Sequence, residues 1–169
     1  MQILKYLTLF TFMLCLTAGC KKSNKNIDPC EGLLNESPPM RIGILVESKQ
    51  SGENLILANG LTGADIKVSN LQTAVPQGNW RIIDSDMSPM NGMLELSVFH
   101  EKAGVYSYKV DLKNLPSITF SYTIKQEPTD NPCKKFSYPM ENLQAVGNEF
   151  IPFKAAENTY PNIIKILLN

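Results

Sequence analysis

The side chains able to do chemistry are few and scattered. Asp84 and Asp86 flank Ser85 after a strand-like run and before Met87-Ser88-Pro89. Two carboxylates two apart on a loop could contribute to a calcium shell, which takes six or more oxygens. Two acids fall short of that number, an ordinary solvated turn is the favoured reading, and no metal is expected. Trp80, after Gln77-Gly78-Asn79, is the aromatic best placed to stack on a flat ligand such as a sugar ring. A lone tryptophan among strands also serves as a core anchor. His100, the one histidine, stands beside Glu101. A nucleophile relay would need it, yet no serine sits in a G-x-S-x-G elbow, so it reads as a surface or hairpin-end residue. The chain has no glycine-rich phosphate loop and no H-E-x-x-H, and no pair of acids is marked out for glycoside hydrolysis. The reading is a chain with no catalytic residue and no cofactor, with Trp80, Asp84 and Asp86 as candidate ligand contacts.

The elements that would carry these residues read as strands. Residues 40–48, MRIGILVES, are mostly apolar and end in a turn signal. Leu55 to Ala58 continues that strand-like reading and runs into Asn59-Gly60, a strong turn dipeptide. Residues 65–69 alternate polar and apolar, and 80–83 and 93–100 follow, with Leu94, Leu96 and Val98 on one face. Lys102-Ala103-Gly104 fits a hairpin loop. Residues 105–112 place Tyr106, Tyr108, Val110 and Leu112 on one face. The cleanest alternation is 117–125, where Ile118, Phe120, Tyr122 and Ile124 interleave with serine, threonine and lysine. Residues 150–153 and 163–168 look like closing strands. Roughly seven to nine short strands with turns about every 8–12 residues predict an all-β fold, an antiparallel β-sandwich of immunoglobulin-like type. An open β-barrel is the alternative.

Size and charge bound the rest. The 169 residues suit one domain, and 16 basic against 16 acidic side chains leave no excess for nucleic acid, so no nucleic-acid partner is expected. Only Arg41 and Arg81 among the basic residues are arginine.

The first twenty residues carry a different message. Lys5 is the only charge before Lys21, and Tyr6 to Gly19 is uncharged and closes on Leu16-Thr17-Ala18-Gly19-Cys20. A basic start, a short apolar middle and small residues at the end mark a secretory signal, too short for a permanent span of about 20 residues. The closing segment resembles the lipobox of bacterial lipoproteins. That resemblance implies removal of residues 1–19 and attachment of membrane lipid to Cys20. Residues 20–29 become a polar tether with Lys21, Lys22 and Lys25, and 30–169 a single β-sandwich domain. No aspartate follows Cys20, which implies the outer membrane, with the face undetermined. The envelope setting leaves Cys30 and Cys133, since Cys15 departs with the signal. Each closes an acid- or amide-Pro-Cys triplet, and a disulfide between them is expected in an oxidising compartment. Beyond Cys133 the chain, punctuated by Pro139, Gly147, Pro152 and Pro161, reads as an appended loop-rich hairpin or edge. The expected function is a lipid-anchored, non-catalytic binding or structural module whose partner is an envelope protein or a glycan. A carbohydrate-binding accessory lipoprotein is the alternative.

Overall fold

The computed structural model describes Cys30, residues 39–155 and residues 158–169. The signal segment, Cys20 and the tether lie outside the described residues. The chain divides into two units, 1–34 and 35–169, and the fold below is that of the second.

Eleven strands carry it: β1 Met40–Ser48, β2 Ile66–Asn70, β3 Trp80–Ile82, β4 Leu94–Val98, β5 Gly104–Leu112, β6 Ile118–Ile124, β7 Glu127–Pro128, β8 Phe136–Ser137, β9 Met140–Val146, β10 Glu149–Ala155 and β11 Asn158–Leu168. One sheet has the order β10-β11-β1-β4-β3, the other β2-β5-β6-β9, and β7 pairs with β8 alone. The molecule is a β-sandwich, not a closed barrel. Its ladders are antiparallel except one: β1 and β11 run parallel, with Gly43 opposite Ile163 and Val46 opposite Ile166.

Alternation builds the interior. Ile42, Ile44 and Val46 of β1, Leu94, Leu96 and Val98 of β4, and Ile164, Ile166 and Leu168 of β11 face inward from the first sheet. Val68, Tyr108, Val110, Leu112, Ile118, Phe120, Tyr122 and Ile124 meet them from the second. Each fully buried aliphatic or aromatic side chain contributes about 1.5–3 kcal/mol by leaving water. The first sheet is covered on its other face too. There Leu45, Met93 and Phe153 are buried, with Ile83, Met90, Tyr160 and Ile163 packed on them. Residues 42–46 are therefore buried without interruption, where a strand covered on one side alternates. Gly43 is required by this layer: a Cβ there would lie 2.5 Å from Met93 Sδ and 3.0 Å from Ile163.

Three expectations are corrected. Residues 55–58 form a single helical turn, α1, not a strand. Asn54 decides this locally, its side-chain oxygen accepting from the N–H of Ile56 at 2.9 Å and of Leu57 at 3.2 Å. The segment 102–104 is not a hairpin loop, because β4 and β5 lie in different sheets and the connection carries the chain across the sandwich. The segment after Cys133 does supply edges and a hairpin, β9 and β10 at sheet edges and β10 paired with β11, but it is built into the sandwich rather than appended. β9 extends the second sheet beside β6, and β11 sits inside the first between β10 and β1. Its prolines and glycine do not break it because they fall where no ladder bond is lost. Gly147 takes φ +80° in the turn, Pro152 marks a bulge on the edge strand β10, and Pro161 precedes the pairing with β1.

Candidate functional site

Phe99 leaves the end of β4 with its ring 49% exposed and lines two neighbouring hollows. The larger, about 660 Å³, is built on the outer surface of β3, β4 and β1. Strand alternation turns Arg81, Glu95, Ser97 and Arg41 outward together, since Arg81 pairs with Glu95 across one ladder and Arg41 with Ser97 across the next. Arg81 donates to Glu95 Oε1 from Nε at 2.9 Å, with Nη2 at 2.8 Å. Arg41 Nη1 stands 3.8 Å from Glu95 Oε2. Glu95 is 13% exposed, whereas Arg41 and Arg81 are 67% and 63% exposed. Ion pairs so open to water contribute about 0–1 kcal/mol to stability. Their effect is positional: one shielded carboxylate grips the Arg81 guanidinium at the rim of the hollow and keeps Arg41 within ion-pair distance. Gln77, Asn79 and Ser97 supply amide and hydroxyl groups beside them.

Trp80 is half-buried. It pairs with Leu96, faces the interior and packs against the main core. A Cβ on Gly63 would meet only the outer edge of its ring, at 3.9 Å. Trp80 therefore packs against the core and is also among the residues lining the hollow, while its neighbour Arg81 points outward.

The second hollow, about 450 Å³, lies on the other side of Phe99. His100 is half-buried, its ring centroid 3.8 Å from that of Tyr106, and its Nε2 shares a 2.7 Å hydrogen bond with the Tyr122 hydroxyl. From there the rings continue inward, Tyr122 to Tyr108 at 6.0 Å and Tyr108 to Phe120 at 5.5 Å. Burial lowers the His100 pKa below its ordinary value, so the ring is neutral at pH 7. Burial also pushes the Tyr122 phenol up, with the Tyr108 hydroxyl as a further cause. His100 is thus the outer end of an aromatic stack on the crossover from β4 to β5, rather than a hairpin-end residue on the surface.

The facing wall comes from the chain between β7 and β8. Cys133 N–H donates to Asn131 Oδ1 at 2.9 Å and Lys134 N–H to the Asn131 carbonyl at 3.0 Å, which folds the Asn-Pro-Cys triplet into a turn. Cys30 and Cys133 are disulfide-bonded. Lys134, Lys135, Phe136 and Tyr138 line the hollow beyond that turn, with Phe136 41% exposed. Among the described residues each hollow has one carboxylate in its lining, Glu95 in the first and Glu101 in the second.

Asp84 and Asp86 lie elsewhere. Both are exposed on the loop between β3 and β4, and neither lines either hollow. Asn91 ties that loop, accepting from Ser85 N–H at 3.1 Å and donating to Asp86 Oδ1 at 3.4 Å. Among the described residues no three His, Cys, Asp or Glu side chains converge as a metal site would require. The fold thus separates Asp84 and Asp86 from Trp80. It assembles instead a set that sequence reading passed over: Arg41, Arg81 and Glu95, with Phe99, Phe136 and Tyr138. The one signal available was that both arginines of a lysine-rich chain occur in strand-like runs. Comparison with protein-family models, with curated proteins and with solved structures gives no match to this chain.

Proposed function

We propose that the chain is a lipid-anchored, non-catalytic binding module of a bacterial cell envelope, held at the outer membrane through lipid on Cys20. The observation that carries this reading is the run Leu16-Thr17-Ala18-Gly19-Cys20 after a basic start and a short uncharged stretch. Acyl chains on the thiol and on the new amino terminus together supply the two signals that stable anchoring needs. The disulfide suits the same compartment, since such bonds persist outside the reducing cytosol. Intact-mass spectrometry of the full-length gene product expressed in a diderm bacterium tests the anchor. The expected species begins at Cys20 and carries a diacylglyceryl thioether and an N-acyl group, and Cys20→Ala leaves the uncleaved precursor. An unmodified chain beginning at Met1, or recovery from the cytosol, overturns it.

A carbohydrate ligand is the second reading. It is favoured by Phe99, half-exposed between hollows whose walls offer amides, a hydroxyl and further aromatic rings. Aromatic faces stack on the apolar faces of sugar rings, while amides and hydroxyls satisfy their hydroxyl groups.

A further inference from the structure

The two arginines of the chain stand 40 positions apart and belong to different strands, yet both forks reach the same carboxylate at the rim of one hollow. Surface solvation does not explain the choice, because lysine fills that role at every other basic position. Fold stability does not explain it either, since ion pairs this exposed contribute little. What arginine adds is a rigid planar fork that matches a carboxylate in two parallel hydrogen bonds, which a lysine ammonium cannot do. Arg81 uses Nε and Nη2 on Glu95 and has Nη1 to spare, and Arg41 stands off at 3.8 Å with its fork largely in solvent. Among the described residues one glutamate against two arginines leaves the rim net positive. The walls beside it, Gln77, Asn79 and Ser97, carry neutral hydrogen-bonding groups, and Phe99 closes the hollow with an exposed ring.

We propose that the hollow between Arg41, Arg81 and Phe99 is a binding site for a carboxylate-bearing saccharide. The arginine forks hold the uronate-type carboxylate, the amides and Ser97 meet the hydroxyls, and Phe99 stacks on a ring face. Glu95 is a positioning residue that holds the Arg81 fork by hydrogen bonds and draws Arg41 by charge alone. On the far side of Phe99, Lys134 and Lys135 line the second hollow, so a longer acidic chain meets further cations. The inference rests on the binding-module reading but not on the lipid anchor.

The test is affinity gel electrophoresis of the full chain in non-ionic detergent, on polygalacturonate, on its methyl ester and on polyglutamate. Retardation is expected on polygalacturonate alone, weakening as salt rises. Arg81→Lys keeps the charge and loses the fork, and is expected to weaken retention about tenfold. Arg41→Gln is expected to weaken it by a similar factor, and Lys67→Gln, on the second sheet, to leave it unchanged. Equal retention by the methyl ester overturns the acid class while a binding module stands. Equal retention by polyglutamate overturns the saccharide class. Retention that ignores both arginine substitutions overturns the site, and retention on none of the three matrices overturns the inference as a whole. Protein that carries no lipid yet binds polygalacturonate through its arginines separates the two proposals, with the saccharide site standing and the envelope anchor falling.

Discussion

The two sheets share one interior but differ in what lies on their other sides. Behind β6, the second sheet carries Thr119, Ser121 and Thr123, so the residue types alternate, although only the threonines are part-exposed and Ser121 is buried, its Oγ accepting from Gln144 Nε2 at 3.4 Å. Behind β1, the first sheet carries a second apolar layer of Leu45, Met93 and Phe153, and at its far end the two arginines. Lys165 crosses that layer, 5.9 Å over the Phe153 ring and 2.7 Å from Glu47. A sheet covered once has a free face of small polar groups. A sheet covered twice is packed along most of its length, and at its uncovered end Glu95 fixes Arg81 by two short contacts. A preformed site gains from such rigidity because less side-chain freedom is lost on binding. The larger hollow therefore belongs to the end of the first sheet that its apolar layer leaves open.

Three perturbations sharpen that contrast. Phe120→Ala removes a fully buried ring that the second sheet turns into the shared core. Loss of about 3–5 kcal/mol is expected in chemical denaturation. A loss below about 1 kcal/mol would mean the two sheets do not share this core. Gly43→Ala probes the second layer alone. Its new methyl meets Met93 Sδ, so about 1–3 kcal/mol is expected to be lost, and most of it regained in a Met93→Ala background. Thr119→Ala, on the outer surface of the second sheet, is the paired control and is expected to stay within about 0.5 kcal/mol. Equal costs at Gly43 and Thr119 would erase the distinction between the sheets.

The smallest effect is expected at the crossover between the sheets. His100 has a folded pKa below its ordinary 6.5 because burial disfavours the imidazolium. The unfolded chain therefore takes up the proton first as pH falls. Stability is expected to be full above about pH 6.5 and to decline as pH drops from there through the lower folded pKa. His100→Gln should flatten that decline. His100 is the only histidine, and Asp65 is held down to about 2 by its hydrogen bonds to Lys113 and Thr62. A decline between pH 6.5 and 5 that persists in His100→Gln would assign it to another group.

How much could be read in advance follows the same physics. β1, β5 and β6 were legible almost to the residue, because β1 is one apolar run and β5 and β6 alternate cleanly. The inward tyrosines were legible too, since Tyr108 and Tyr122 share faces with Val110 and Ile124. β9 and β11 were less so, because their prolines and glycines look like breaks until the edge, the bulge and the turn that accommodate them are known. Residues 55–58 read as strand because a four-residue apolar run has no period, and Asn54 settles it by capping the turn. The candidate site was the least legible part. Trp80 drew notice for its residue type, yet alternation turns it inward and turns Arg81 out.

By itself, the order of residues determined a sandwich of short strands, where most of them lie, and which side of each is apolar, because those properties are set by neighbours two positions away. Tertiary structure alone decided that β11 lies parallel to β1, that 102–104 crosses between sheets, and that Arg41 and Arg81 meet at Glu95. Period-two alternation specifies a face but not a partner strand or a register. Those depend on contacts between segments distant in the chain, and the geometry of the site exists only once they have formed.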